Sequence, residues 1–213
     1  VYFGEYLKVF DLDSKVADPK KVVQEELAYW AKSQLFDGGF PYWPGGLNST
    51  VDVSIRIGEI VAQAKRHGIV VPASLNVKRL VSFLKKQKAE MQKRWSAASS
   101  VYYYSYINYV LSLMGETVEV KELEEITNSK SADIASLAFT GLTYFELDNK
   151  AKAKEVAAML KKHMKMTTQG VEISRIKTAP WWSFLNSNIA DYALCLKLFT
   201  SLDPDDRLVP NLV

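Results

Sequence analysis

The chain has 213 residues with 27 basic and 24 acidic side chains, a net charge of +3. Hydrophobic residues make up 48% and charged residues 24%, proportions that suit a globular chain able to bury a substantial core and exclude extensive disorder. The charge balance offers no argument for nucleic acid, no apolar run approaches the ~20 residues of a membrane helix, and the single cysteine, Cys195, rules out an internal disulfide.

The first helix is predicted over residues 19–34, with Asp18 as N-cap and Pro19 at the first helical position. The loop FDGGFPYWPGG follows at residues 36–46. Its glycines and prolines make a turn, but a turn alone does not need Phe40, Tyr42 and Trp43. A second helix spans 48–68, capped by Ser49 or Thr50 and ended by Gly68. Pro72 opens a long amphipathic helix over 72–94, and another over 96–115 ends at Gly115. A short acidic helix at 120–127 leads to helices at 131–147 and 149–165. Residues 167–180 read as non-helical, with VEISRI at 171–176 a candidate strand, and the last clear helix is 188–202.

These helices are of two kinds. Residues 72–94 and 149–165 carry one apolar stripe and many lysines, so one face is wet. Residues 99–114, 134–147 and 189–202 are apolar nearly all round and must be buried on every side. Short connections between the kinds favour antiparallel hairpins, stacked either as a solenoid or as a closed ring. The inner-helix ends, at Gly68, Gly115, Asp148 and Asp203, are unevenly spaced, which favours an α/α toroid over a strict-period repeat. The expectation is an all-α fold in a single helical domain over 1–213. The chain opens on VYFGEYLKVF without a Met and closes on RLVPNLV where a helix begins. Both ends are therefore read as cut, and no signal peptide is visible within it.

Chemistry-bearing motifs are few. DPDD at Asp203–Asp206 matches the DxDD pattern of acid-initiated terpene cyclases, in which a protonated Asp donates to an alkene. The simpler reading is a helix end followed by acids and Pro starting the next helix. His67 and His163 sit near helix C-termini, where a cation is favourable, and no HxxxH or Cys/His cluster suggests zinc. Cys195 lies in an apolar helix and reads as a small core residue. Glu25, Glu26, Glu122, Glu124 and Glu125 read as solvated helix charge. Lys78, Arg79, Lys85, Lys86, Lys88, Lys93 and Arg94 stand against one acid, Glu90, and read as the exposed face of an outer helix or a patch for an acidic partner. Tyr102, Tyr103, Tyr104, Tyr106 and Tyr109 read as core rings stacked along a helix. There is no Walker loop, no GxGxxG and no GxSxG.

Two stretches resemble the thioester-containing helical domain of bacterial alpha-2-macroglobulin-like proteins. AKSQLFDGGFPYWPGG is similar to that family's Gln-x-x-Asp-Gly-Gly-Phe-x-x-Trp segment, here Gln34, Asp37, Gly38, Gly39, Phe40 and Trp43. NSNIADYALCLKLFTSLDPDDRLVPNLV looks like its closing hairpin. The resemblance implies part of an α/α toroid within a larger periplasmic or cell-envelope protease inhibitor. It implies no enzymatic turnover, no cofactor or metal, and no contact with nucleic acid or insertion into membrane. Its partners would be the parent's other domains and, through the parent, proteases. The family's Cys-x-Glu-Gln thioester motif is absent here, as is the histidine that its eukaryotic relatives keep near the position of Trp95. The rival readings are an α/α-toroid enzyme such as a terpene cyclase, and a helical-repeat scaffold that binds peptides. Under the resemblance, Phe40 and Trp43 fold back to seal neighbouring helix ends, with Pro41 and Pro44 stiffening the loop. Trp43→Ala is then expected to cost ~3 kcal/mol.

Overall fold

The computed structural model describes residues 18–94, 98–174 and 188–212. Among them are eight α-helices: α1 (Pro19–Ala31), α2 (Val51–Arg66), α3 (Val77–Lys93), α4 (Ala98–Leu113), α5 (Val120–Thr127), α6 (Ile134–Glu146), α7 (Lys150–Lys161) and α8 (Asn188–Leu202). Two short antiparallel pairs accompany them, β1 (Phe40–Pro41) with β2 (Ser49–Thr50) and β3 (Met164–Thr167) with β4 (Gly170–Ile173). The fold is all-α, as expected. The chain divides into two compact units, Val1–Gln87 and Lys88–Val213.

In the first unit, Asp18 caps α1 by accepting a bond from Lys20 N at 3.0 Å. The helix stops at Ala31 rather than at Gln34 because Lys32 N and Ser33 N turn back onto Tyr29 O and Trp30 O. Gln34 is left to bond outside the helix. Thr50 is the N-cap residue of α2 without a side-chain cap bond; its hydroxyl donates instead to Phe40 O across the β1–β2 pair. Gly68 ends α2 in the left-handed region, φ +68°. The expected start of α3 at Pro72 is corrected to Val77. Pro72 O accepts Leu75 N in a turn, and Asn76, a strong N-cap residue, accepts Arg79 N at 3.0 Å. Within α3, Leu80, Val81, Phe83 and Leu84 form the single buried stripe.

The second unit is built on α4 and α6. From Val101 to Leu113 every residue of α4 except Tyr103 is buried, and in α6 burial is continuous from Ile134 to Tyr144. The helices pack together through rings. Tyr106 stacks on Phe139 with centroids 4.3 Å apart at 10°, and Tyr102 and Tyr109 approach the same ring at 5.9 and 5.7 Å. Buried hydroxyls do not break the apolar packing. Ser105, Ser112, Thr140 and Thr143 each donate to a backbone carbonyl three or four residues back. Helix α7 shows one wet face, burying Ala153, Val156, Ala157 and Leu160 against α6 and α8.

Two expectations for this unit are corrected. Helix α7 ends at Lys161 rather than Lys165, because Met164–Thr167 is taken into strand pairing with Gly170–Ile173. The candidate strand at 171–176 is thus half of a hairpin, and its residues after Ser174 lie outside the described ones. Helix α8 is not buried on every side. Cys195, Leu198 and Phe199 are buried where α8 packs on α6 and α7, but Ile189 is 79% exposed. Its composition is apolar all round, yet only one face has helices against it among the described residues. Gly141 lets α6 and α8 approach closely: a Cβ there would sit 2.6 Å from Leu198 Cδ2.

Candidate functional site

The loop that follows α1 is held by side-chain amide and carboxylate bonds. Gln34 reaches forward with its whole amide group. Its Nε2 donates to Gly38 O at 2.9 Å and to Asn76 O at 3.0 Å, while its Oε1 accepts Asn76 N at 2.8 Å. One side chain thereby ties the loop to the start of α3. The Asp37 carboxylate accepts Gly39 N at 3.1 Å and Ser49 Oγ at 2.7 Å, closing the loop onto β2. Gly38 has φ +92°, and a Cβ there would overlap the carbonyl oxygen of Arg79. This is a position for glycine on both counts. A Cβ on Gly39 would lie 2.6 Å from Ser49 and 2.8 Å from the Phe83 ring. The chain then delivers Phe40, 1% exposed, into the core, with its N–H donating to Ser54 Oγ at 2.9 Å.

Gln34, Asp37, Gly38, Gly39 and Phe40 therefore come together in one bonded cluster. Trp43 does not join it. Its side chain is 71% exposed, which corrects the expectation that it seals helix ends. The chain turns outward after buried Pro41, and Trp43 meets Tyr42 edge-on, at 4.9 Å and 80°. Tyr42 is itself 58% exposed, Leu47 88% and Phe36 90%, with the Arg79 guanidinium 5.4 Å over the Phe36 ring.

Beneath the loop lies a cavity of about 380 Å³, lined by Tyr29 and Trp30 of α1, Phe40, Pro41 and Tyr42 of the loop, and Val53, Ile57 and Ile60 of α2. Its polar lining is Ser33 and Arg56, the latter held through Nε to Asp52 at 3.1 Å. No acid, base or nucleophile pairing of a catalytic kind lines it. Its chemistry is that of a socket for an apolar group, rimmed by exposed rings. Sequence reading identified the loop but missed the socket, because Ile57 and Ile60 become walls only where α1, α2 and the loop come together.

The remaining candidate residues fall outside this site. Asp203 accepts Asp205 N, and Asp206 accepts Leu208 N and pairs with Lys161. Partial burial alone would raise the Asp206 carboxyl, but the Lys161 and Leu208 bonds outweigh it and hold the group low. Asp203 and Asp205 are exposed, so the motif caps a turn and does not supply an acid in a closed cavity. His67 is the exposed C-cap of α2 and His163 follows α7. No group of three metal-ligating side chains occurs among the described residues. Cys195 is fully buried, and burial, helped by Asp191, pushes its thiol up to about 12. Tyr104 is also raised, chiefly by burial and then by Glu122. Glu122 is the bidentate acceptor of Lys88 at 2.9 Å, so this member of the acidic pattern is a structural ion pair. Trp95 lies outside the described residues. No described helix is long and apolar enough to cross a membrane.

No protein-family model and no curated protein sequence matches the chain. Solved structures do. The crystal structure of trypsin-activated alpha-2-macroglobulin from Escherichia coli superposes with a TM-score of 0.70 at 18% identity, covering 94% of this chain and 13% of that one. The native conformation of the E. coli protein seen by cryo-EM gives 0.69 at 21% identity, over 94% of this chain and 12% of that one. A native crystal structure running from domain MG7 to the C-terminus gives 0.68 at 19% identity, over 94% and 31%. The chain is thus similar in fold to one helical portion of E. coli alpha-2-macroglobulin, and spans a small share of the chains it resembles.

Proposed function

We propose that this chain is part of the helical, thioester-type domain of a bacterial alpha-2-macroglobulin-like protease inhibitor. It is a binding and trapping module that performs no turnover of its own. The observation that carries this reading is the fold likeness over 94% of the chain. In this reading residues 1–213 belong to one α/α toroid in a longer periplasmic or cell-envelope protein, and Gln34, Asp37, Gly38, Gly39, Phe40 and Trp43 form its loop motif. The parent's other domains are its direct partners and proteases its indirect ones. The terpene-cyclase reading loses its acid, since Asp203 and Asp205 are on the surface.

The test uses the longer gene product. It is mixed with trypsin, and residual activity is measured on a protein substrate and on a small chromogenic peptide. A steric trap suppresses cleavage of the large substrate and spares the small one. Equal activity on the protein substrate with and without the gene product would overturn the proposal.

A further inference from the structure

Helix α3 carries more basic residues than any other described helix. From Ile60 to Ala89 the sequence holds no Asp or Glu. Helix α3 carries six basic residues and one acid, against 27 and 24 in the whole chain, so the remainder is net acidic. Lys78, Arg79, Lys85 and Lys86 are all exposed and all belong to the Val1–Gln87 unit. Lys78 and Lys85 are seven positions apart, as are Arg79 and Lys86, so each pair lies nearly in line about 10 Å apart along the helix.

Beside this double row stands Phe36, 90% exposed under the Arg79 guanidinium. An apolar ring left in water forgoes the free energy that its burial would release. The loop that carries it is pinned to the start of α3 by the three Gln34 bonds, and by the approach of Gly38 to the Arg79 backbone. Ring and cations are therefore presented together, on a fixed frame.

We infer that Phe36, Lys78, Arg79, Lys85 and Lys86 form a docking surface for an acidic polypeptide segment that carries an apolar side chain, supplied by a neighbouring domain of the same longer protein. Charge complementarity selects the acidic partner, and the ring calls for the apolar residue within it. A polypeptide fits better than nucleic acid. The cations form one short double row over residues 78–86, and the chain's pI of 8.7 falls below the range above ~9 that marks nucleic-acid domains. The choice of a neighbouring domain rests on the function proposed above, since the solved structures that cover 94% of this chain do so with 12% to 31% of their own length.

The experiment probes overlapping peptides, tiled across the rest of the longer gene product, with the chain at physiological salt. We expect binding to be confined to acidic peptides that contain a large apolar residue. The double variant Lys78→Glu, Lys85→Glu should weaken it at least about tenfold, with steep salt dependence. Phe36→Ser should weaken it severalfold without changing that salt dependence. All three substitutions are on exposed side chains, and an unchanged denaturation midpoint shows that the variants fold. No binding peptide, binding by basic peptides, or binding indifferent to charge reversal would overturn the inference. So would a single-stranded oligonucleotide that displaces the peptides at equal concentration. The protease assay does not use this surface, so the two proposals can fail separately.

Discussion

At the residue scale, two aromatic residues three positions apart in one loop have opposite fates. Phe40 is buried and bonded through its backbone to Ser54, whereas Trp43 faces water. Phe40→Ala should lower the free energy of unfolding by ~3–5 kcal/mol, the usual cost of emptying a buried aromatic site. Trp43→Ala should change it by no more than ~0.5 kcal/mol, as for other exposed positions. Urea denaturation of the two variants checks both, and a larger loss for Trp43 would contradict its placement. Cys195 gives a second residue-scale expectation. Its thiol is pushed up to about 12 by burial, while in the unfolded chain it ionises near ~8.5. The unfolded state therefore loses a proton, between those two values, that the folded state keeps. Stability contributed by the neutral thiol is full below ~8.5 and falls as pH rises, by up to ~1.4 kcal/mol per unit. Cys195→Ala should flatten the pH dependence of the urea midpoint between about pH 8 and about pH 10. An identical slope in both proteins would show that the thiol ionises in the folded state.

At the element scale, exchange protection should follow burial. Amides of α4 and α6, buried almost throughout, are expected to exchange most slowly. Those of α1, which among its described side chains buries only Leu27 and Ala31, should exchange fastest among the helices of the first unit. Helix α8 should divide, with slow exchange around Cys195 to Phe199 and faster exchange near Ile189. Uniform protection along α8 would restore the all-round burial that its composition suggests. Most elements were legible because periodicity and caps agree: Asp18 caps α1 as its position implies. Boundaries failed where a side chain found a partner distant in sequence. Gln34, helical by pattern, is used to bridge to Asn76, and Met164, helical by pattern, pairs with Ile173.

At the scale of the whole molecule, the chain by itself should not capture a protease covalently. A thioester of the Cys-x-Glu-Gln kind needs a glutamine three residues after the cysteine. Leu198 occupies that place, and Cys195 is fully buried. On a denaturing gel of the chain mixed with trypsin, no linked band should survive boiling. A band that disappears in Cys195→Ser would make the thiol functional. Sequence alone determined the all-α class, the separation of one-striped from all-apolar helices, and the DGGF loop. These depend on local periodicity and on turn chemistry, which neighbouring residues carry. Only the tertiary structure decided which ring of the loop enters the core, which face of α8 is covered, and that α1, α2 and the loop line one half-open cavity. Burial is a property of what lies opposite a side chain, and for Trp43, Ile189 and Ile57 that neighbour, or its absence among the described residues, is set by chain far away in sequence.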